Sequence, residues 1–283
     1  MDLGVGSEGY QRAAMAQSST ILSTDKLTRC FGALTVVDEL TIAVAAGEVF
    51  GLVGPNGAGK TTVIKMLTTL LPPTSGMAKV GGFDIARQPA NVRRIIGYVP
   101  QALSVDGSLT GYENLLIFAK LYDIPRRERE TRLREALSFM GLSNAADKLV
   151  REYSGGMIRR LEIAQSTLHR PRVLFLDEPT IGLDPVARKA VWDHVKELRD
   201  RYGTTIFLTT HYMEEADDLC ARVAIMHAGK IVVSGSPAEL KAAVGGSDTT
   251  LDDVFVHFAG DNLEPGGSFG ETASERRTAK RLG

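Results

Sequence analysis

The pattern of apolar and polar positions changes twice along the chain. Short β-branched runs separated by turns occupy residues 21–50, and this pattern predicts an antiparallel β-subdomain. From Val49 onward, apolar runs alternate with amphipathic stretches, as they do where helices cover a parallel sheet. Residues 103–170 follow mostly helical spacing, and Thr110 and Glu113 predict a capping box within them. The pattern therefore predicts an α/β chain with an inserted helical segment.

The apolar run Glu48–Val53 is predicted to be a buried strand, and a helix is predicted over residues 61–71. The segment that links this strand to this helix, together with the first residues of the helix, consists of Gly54, Pro55, Asn56, Gly57, Ala58, Gly59, Lys60, Thr61 and Thr62. These residues fit the phosphate-binding pattern G-x-x-x-x-G-K-[ST]. Its glycines let backbone N–H groups approach phosphate oxygens, Lys60 supplies charge to the β- and γ-phosphates, and the Thr61 hydroxyl is placed to ligate Mg²⁺. An ordinary glycine-rich turn is the alternative, which the strand–loop–helix context disfavours.

A second apolar run, residues 173–176, delivers Asp177 and Glu178 to the end of a predicted strand. Open α/β sheets bind their ligands at this end of their strands, and the run has the form of a Walker B strand. Asp177 is predicted to hold Mg²⁺, and Glu178 is the candidate general base that polarises the attacking water. A polar strand end that caps the next helix is the alternative, and it weakens beside a P-loop.

Ser154, Gly155 and Gly156 form the predicted N-terminus of a helix, with Ser154 as its N-cap. Glycines weaken a first helical turn but leave its N–H groups open to an anion. One nucleotide does not need two anion sites in the same chain. We therefore expect a head-to-tail dimer in which Ser154 of each copy meets the γ-phosphate held by the other copy's P-loop. A flexible Gly-Gly turn is the alternative.

The ordered set of motifs resembles the ABC-type ATPases over residues 21–260. Besides the P-loop and the Walker B residues, the set comprises Tyr98-Val99-Pro100-Gln101, Ser154-Gly155-Gly156, Gly182-Leu183-Asp184 and Thr209-Thr210-His211. The resemblance implies that Gln101 senses Mg²⁺ and the γ-phosphate, that Asp184 is a dimer contact and that His211 touches the γ-phosphate. It also implies that Phe31 stacks on adenine. The implied fold is a P-loop NTPase with a RecA-like parallel-sheet core, an antiparallel β-subdomain and an inserted helical subdomain.

Two features resemble one branch of this family. The usual signature is Leu-Ser-Gly-Gly-Gln, whereas Tyr153 and Met157 flank the Ser-Gly-Gly core here. A methionine at this position resembles the drug- and polysaccharide-exporter branch. Residues 249–260 predict a short amphipathic helix and resemble the closing segment of daunorubicin-type resistance exporter ATPases. The apolar positions of this helix are Leu251, Val254, Phe255 and Phe258.

The predicted organisation has four segments. A disordered leader covers residues 1–19, because this stretch is rich in small and polar residues without periodicity. The ATP-binding domain follows at 20–245, with its helical subdomain at about 103–170. A docking helix is predicted at 246–260 and a disordered tail at 261–283.

Composition and net charge indicate which classes of partner to expect. The 283 residues are 43% hydrophobic and 24% charged, and the formal net charge is -1, so no nucleic-acid partner is expected. No apolar run approaches the ~18 residues that cross a bilayer, so we expect any pore to belong to a separate integral-membrane permease. The chain itself is expected at the cytoplasmic face of the membrane as a peripheral subunit. Cys30 and Cys220 predict free thiols and no disulfide framework.

The expected function is ATP hydrolysis, with ATP and Mg²⁺ as cofactors, by a subunit of an ABC exporter for a drug, antibiotic, lipid or glycan. The expected partners are the permease and a second copy or a closely related ABC ATPase. Two alternatives stay open: an ABC importer ATPase, and a non-transport ABC ATPase acting on ribosomes or DNA. Met157 and the ending at 249–260 disfavour the importer. The single module, without sustained heptads between Lys60 and Ser154, disfavours the other alternative.

Overall fold

The computed structural model describes residues 20–245 and 248–260, so the predicted leader at 1–19, residues 246–247 and the predicted tail at 261–283 lie outside it. The strands are β1 (Thr20–Phe31), β2 (Leu34–Leu40), β3 (Ala43–Ala45), β4 (Val49–Val53), β5 (Ser75–Val80), β6 (Phe83–Asp84), β7 (Ile96–Val99), β8 (Val173–Asp177), β9 (Thr205–Thr210), β10 (Arg222–His227) and β11 (Lys230–Gly235). The helices are α1 (Lys60–Leu67), α2 (Pro89–Ile95), α3 (Gly111–Leu121), α4 (Arg126–Phe139), α5 (Gly155–Thr167), α6 (Pro185–Tyr202), α7 (Met213–Leu219), α8 (Pro237–Val244) and α9 (Leu251–Ala259).

The larger sheet has the strand order β11-β10-β4-β9-β8-β7. The strands from β10 to β7 are parallel, and β11 is added antiparallel at one edge. In β4, Val49 and Val53 face one side of the sheet while Phe50 and Leu52 face the other, as the two-residue period of a strand requires. All four are buried, because both faces of the parallel sheet are covered. The sheet is the expected core of a P-loop NTPase, and the carboxyl ends of β4, β8 and β9 meet at one edge.

A smaller antiparallel sheet has the order β2-β1-β5-β6, and β3 also pairs with β1. The antiparallel β-subdomain predicted from residues 21–50 is present, but it also includes β5 and β6. After α1 the chain returns to this sheet, where Leu22 lies opposite Val80. Strand β5 buries only Ala78 and Val80, so its local pattern carries little sign of this long-range pairing.

Helix α1 ends at Leu67, four residues before the predicted end at residue 71. Thr68 Oγ1 donates to the Ile64 carbonyl oxygen at 2.8 Å, and Thr69 adopts a left-handed conformation with φ 64. A left-handed residue does not continue a right-handed helix. The hydrophobic spacing that predicted the helix extends past this turn, since Leu70 is apolar but 60% exposed.

Helices α3, α4 and α5 form the helical layer inserted between β7 and β8. Thr110 and Glu113 form the capping box predicted for the first of them. Helix α4 buries only Leu133 and Leu137, so most of its charged side chains face solvent. Within residues 20–245 and 248–260, no helix has the length and apolar character needed to cross a membrane.

The C-terminal helix α9 packs against α7, α8 and β11. Leu251, Val254 and Phe255 are buried as predicted. Phe258 differs, because its side chain is 37% exposed with its ring against His257, and Ala259 is buried instead. Both cysteines are free thiols, as predicted.

Candidate nucleotide site

The P-loop joins the end of β4 to the start of α1 and passes close to two neighbouring strands. Gly59 has φ 106, and a Cβ there would lie 2.6 Å from the Val36 carbonyl oxygen. A Cβ on Gly54 would lie 2.1 Å from the Met226 carbonyl oxygen. Both positions therefore require glycine. The other predicted P-loop residues lie in the same loop and in the first turn of α1: Pro55, Asn56, Gly57, Ala58 and Thr62.

Lys60 is folded back over the P-loop. Its Nζ donates to the carbonyl oxygens of Gly54 and Pro55 at 2.7 and 3.1 Å and lies 3.0 Å from Glu178 Oε1. Both side chains of this ion pair are 5% exposed. A buried ammonium needs such partners, since an unpaired charge away from water is strongly disfavoured. The structure thus brings the P-loop lysine and the candidate base together.

Neighbouring residues fix both the backbone and the carboxylate of Glu178. Its backbone adopts φ 51, a left-handed conformation that costs about 1–3 kcal/mol unless the surroundings impose it. Its N–H donates to the Thr209 carbonyl and hydroxyl oxygens, both at 3.1 Å. Its Oε2 lies 2.7 Å from His211 Nδ1. Strand β9 therefore fixes the backbone of Glu178, and His211 orients its carboxylate.

The charges around Glu178 determine its protonation. Burial pushes the pKa of this carboxyl upward, but the hydrogen bond from His211 and the charges of Lys60 and His211 outweigh burial, so the pKa lies below the ordinary value. An ionised carboxylate only accepts hydrogen bonds, so His211 Nδ1 is the donor. Glu178 is consequently an oriented carboxylate at neutral pH.

Asp177 lies beside the hydroxyl of the P-loop threonine. Asp177 Oδ1 accepts from Thr209 Oγ1 at 2.7 Å and from Thr61 Oγ1 at 3.1 Å. Burial raises the pKa of this carboxyl, although both hydrogen bonds act in the opposite direction. Asp177 Oδ2 is buried and has no hydrogen-bond partner. An unpartnered carboxylate oxygen next to a hydroxyl oxygen is a donor set that suits Mg²⁺, which prefers oxygen ligands.

A cation here would take only part of its shell from the protein. Across residues 20–245 and 248–260, no group of three or more His, Cys, Asp or Glu side chains could hold a metal ion. Mg²⁺ commonly binds through one or two protein ligands together with water and substrate phosphates. Asp177 and Thr61 fit that mode of binding.

The signature residues form a second group with Asp184. Ser154 caps α5, and its Oγ accepts from the Met157 N–H at 3.3 Å. Asp184 caps α6 through Oδ1, which accepts from two backbone N–H groups at 2.9 and 3.0 Å. A Cβ on Gly156 would lie 2.8 Å from Ala187 Cβ, so the signature turn closes tightly on the start of α6. Ser154, Gly155 and Asp184 are exposed.

The two groups do not meet within the chain. Throughout the described residues, no hydrogen bond or ion pair joins Ser154 or Asp184 to the P-loop, Asp177, Glu178 or His211. The sequence motifs therefore divide into a P-loop group, formed by residues 54–62, Asp177, Glu178 and His211, and a signature group, formed by residues 154–156 and Asp184.

Phe31 and Gln101 lie outside both groups. The Phe31 ring is 46% exposed, and the Arg29 guanidinium lies 4.5 Å from its centroid. The Gln101 side chain is exposed, while its carbonyl oxygen accepts from Arg159 Nη2 at 3.1 Å. Both positions leave the side chains accessible to a ligand.

Sequence reasoning missed two polar groups near the site. The motif Thr209-Thr210-His211 does not predict that the Thr209 hydroxyl contacts both Walker B residues; a threonine at the end of an apolar strand is the signal for it. Glu215 is fully buried, and its Oε1 accepts from Thr180 Oγ1 and Trp192 Nε1, both at 2.9 Å. Glu215 lies among other acidic residues in a short helix, so nothing in the sequence distinguishes it.

Comparison with known proteins identifies the family of this chain. The sequence profile of the ABC transporter family matches residues 37–181. The daunorubicin/doxorubicin resistance ATP-binding protein DrrA of Streptomyces peucetius is 45% identical over 81% of this chain and 69% of its own length. The linearmycin resistance ATP-binding protein LnrL of Bacillus subtilis is 38% identical over 82% of this chain and 74% of its length. The Nod factor export ATP-binding protein I of Paraburkholderia xenovorans is 42% identical over 79% of this chain and 73% of its length.

Solved structures give the same result for the fold. An ATP-binding subunit of an ABC transporter superposes with a TM-score of 0.75 at 30% identity, covering 85% of this chain and all of that one. An ATP-binding cassette of an ABC transporter in its ADP conformation superposes with a TM-score of 0.70 at 27% identity, covering 78% and 92%. The chain therefore belongs to the ABC transporter ATP-binding family, and it is an ATPase of that family.

Proposed function

We propose that this ABC ATPase is the motor subunit of an exporter, in which two copies close head-to-tail on two ATP–Mg²⁺ and drive a separate integral-membrane permease. The observation that carries the proposal is the division of the site into a P-loop group that contains the buried Lys60–Glu178 ion pair and a signature group whose Ser154 and Asp184 are exposed. The relatives named for daunorubicin and linearmycin resistance and for Nod factor export support transport out of the cell. The substrate class is accordingly a drug, antibiotic, lipid or glycan, and the subunit lies at the cytoplasmic face of the membrane.

In this proposal, the P-loop group binds the triphosphate. The backbone N–H groups at the start of α1 and the Lys60 ammonium bind phosphate oxygens, and the exposed Phe31 ring stacks on adenine. Thr61, Asp177 and the Gln101 side chain would hold Mg²⁺. The bound ion would neutralise charge on the β- and γ-phosphate oxygens.

Glu178 acts as the general base. A γ-phosphate competes with Glu178 for the Lys60 ammonium, which now lies 3.0 Å from Oε1. When Lys60 turns to the phosphate, Glu178 loses one of the charges that lower its pKa, so its basicity rises. His211 keeps the carboxylate oriented through Nδ1 while Glu178 accepts a proton from the attacking water.

The signature group completes the site from the partner copy. Ser154 Oγ and the accessible N–H groups of the first turn of α5 meet the γ-phosphate held by the other copy, and Asp184 contacts that copy beside it. A closed dimer then contains two composite sites. Closure of the dimer drives the permease to its outward-facing state. ATP hydrolysis then returns the dimer to its open state.

The first experiment uses Glu178→Gln, which keeps the size of the side chain but removes the base. With ATP and Mg²⁺ the variant is expected to elute as a dimer in size-exclusion chromatography with light scattering. Lys60→Ala is the control, because it lacks the charge that binds the triphosphate and should stay monomeric. A monomeric Glu178→Gln protein at saturating ATP would contradict the dimer.

The second experiment identifies the partner. Tagged Glu178→Gln protein is purified with ATP from detergent-solubilised membranes, and the bound proteins are identified by mass spectrometry. A stoichiometric membrane protein with several spans is expected. Ribosomal or chromosomal proteins without a permease would overturn the export function and leave the ATPase.

A further inference from the structure

Helix α5 carries the signature residues at its N-terminus, and its C-terminal end is bonded to strand β7. Ser166 Oγ donates to the Tyr98 carbonyl oxygen at 3.0 Å, and His169 Nε2, just beyond the helix, lies 2.9 Å from the Ile96 carbonyl oxygen. Gly97 permits this approach, since a Cβ there would lie 2.3 Å from the Ser166 carbonyl oxygen. The helix and the strand are therefore held in one register.

A buried ion pair extends this contact beyond the end of β7. Arg159 Nη1 donates to the Pro100 carbonyl oxygen at 2.8 Å, and Nη2 donates to the Gln101 carbonyl oxygen at 3.1 Å. Glu162 Oε1 accepts from the Ser104 N–H at 2.6 Å and from its hydroxyl at 3.0 Å. Arg159 Nη1 lies 3.0 Å from Glu162 Oε2, and the two side chains are 4% and 1% exposed. Two side chains of α5 thus bind three backbone groups of the segment 100–104.

Stability alone does not account for this pair. Burying two charges is costly, and replacing a buried ion pair with apolar side chains of similar volume is often neutral or stabilising. Apolar side chains, however, neither donate to the carbonyls of Pro100 and Gln101 nor accept the Ser104 N–H. What the pair provides is a defined path for residues 100–104 relative to α5.

We propose that Arg159 and Glu162 are positioning residues for ATP hydrolysis, because they tie the segment of Gln101 to the signature helix. Gln101 and Ser154 then reach their nucleotides as parts of one rigid body. This inference rests on the roles proposed above for those two residues. Without the pair, segment 100–104 moves independently of α5, and fewer dimer closures place Gln101 and Ser154 correctly at the same time.

The test is a mutant cycle of ATP hydrolysis on the full chain. The variant Arg159→Met/Glu162→Met removes both charges together, so no unpaired charge is left buried and the fold is kept. It is measured alone and combined with Gln101→Ala. Arg132→Met is the matched control, because Arg132 Nη1 donates to the Leu168 carbonyl oxygen at 3.3 Å, at the other end of the same helix.

The paired-methionine variant is expected to lower kcat about tenfold with KM for ATP nearly unchanged, and Gln101→Ala should reduce it no further, since groups that act as a unit are not additive. Amide hydrogen exchange at Ser104 should become faster in this variant. Arg132→Met should change neither quantity.

An unchanged kcat in the paired-methionine variant, or reductions that multiply when Gln101→Ala is added, would overturn the inference. Gln101→Ala by itself tests the proposed function separately. If that single variant lowers kcat, the proposed role of Gln101 is supported. Whether its effect adds to that of the paired-methionine variant then decides the role of Arg159 and Glu162. If Gln101→Ala alone leaves kcat unchanged, the proposed role of Gln101 is contradicted. The inference that Arg159 and Glu162 act by positioning Gln101 is then contradicted as well.

Discussion

The P-loop group and the signature group are built in opposite ways. Lys60, Asp177 and Glu178 are buried, and their side chains join through ion pairs and hydrogen bonds to Thr61, Thr209 and His211. Ser154 and Asp184 are exposed, and within residues 20–245 and 248–260 their side chains bond only to the first turns of the helices that they cap. A buried polar network is specified within one chain, whereas exposed helix N-termini side by side form one half of a contact. This difference is why we infer that the other half comes from a second copy.

The largest expected effect is on the base in the P-loop group. Glu178→Gln should lower kcat on the order of 10²–10⁴-fold, which is the usual contribution of a positioned general base, while ATP binding persists. Single-turnover hydrolysis and equilibrium ATP binding measure the two quantities. Glu214→Gln, an exposed neighbour of buried Glu215, is the control and should keep kcat. Turnover at the normal rate would remove Glu178 from the mechanism.

A smaller effect is expected in the signature group. Ser154→Ala should lower turnover by the dimer about 10- to 100-fold, since a hydrogen bond to a charged group contributes about 1.5–3 kcal/mol. ATP affinity of the monomer should not change. Ser236→Ala is the matched control, because Ser236 also caps a helix by accepting an N–H. Both variants should lose similar thermal stability, about 1 kcal/mol, and only the first should lose turnover. Equal turnover in both would argue against a role of Ser154 at the phosphate.

Arg29 should have a still smaller effect on binding. Its guanidinium covers one face of the Phe31 ring and donates to the Pro72 carbonyl oxygen at 2.9 Å. Arg29→Ala frees the ring to rotate by removing a contact of about 0.5–1 kcal/mol, and because this contact sets the upper limit of the effect, ATP affinity should fall by no more than about two- to fivefold. Titration with ATP and with inorganic triphosphate separates the causes. A loss shared by triphosphate would place the effect on the phosphates and contradict stacking on adenine.

Glu215 bonds to residues that flank the two groups, and its expected effect is on stability. Thr180, bonded to Glu215, lies two residues after Glu178, and Trp192 lies in α6, which Asp184 caps. Burial raises the pKa of Glu215 above the ordinary 4.5, although its hydrogen bonds oppose this. The folded state therefore binds the proton more tightly, and the free energy of unfolding decreases as pH rises from 4.5 through the folded pKa.

Glu215→Gln removes this decrease. As pH rises from 4.5 through the folded pKa of Glu215, the stability of the variant relative to the unchanged protein should increase. Above that pKa the difference should stay constant. Urea unfolding at a series of pH values measures the difference. Glu178 has a lowered pKa and contributes in the opposite direction, so its stabilisation is lost as pH falls. A stability difference for Glu215→Gln that does not depend on pH would contradict the raised pKa.

The sequence predicted what local patterns encode. The P-loop, the Walker B strand and the capping box at Thr110 are contiguous, and the structure places each of them on the elements expected. The sequence did not reveal the return of β5 to the first sheet, because Leu22 and Val80 are far apart in the chain. It also did not reveal that α1 ends early, since a backbone turn at Thr69 has no hydrophobic signature.

The polar contacts of the site were the least predictable part. Motif spacing identifies Lys60 and Glu178 but not that they form an ion pair with each other. Arg159 and Glu162 follow the signature in an ordinary amphipathic helix, and only the fold shows that they bind the segment after β7. Such contacts depend on which strand ends meet in space, and local sequence does not contain that information.

We infer that each nucleotide site combines the P-loop group of one copy with the signature group of another. Mixed dimers with two different affinity tags test this arrangement directly through their ATP hydrolysis. When Lys60→Ala is on one chain and Ser154→Ala on the other, one composite site keeps both intact groups, and clear turnover is expected. When both substitutions are on the same chain, each site has lost one group, and almost no turnover is expected. Equal turnover in the two arrangements would contradict composite sites.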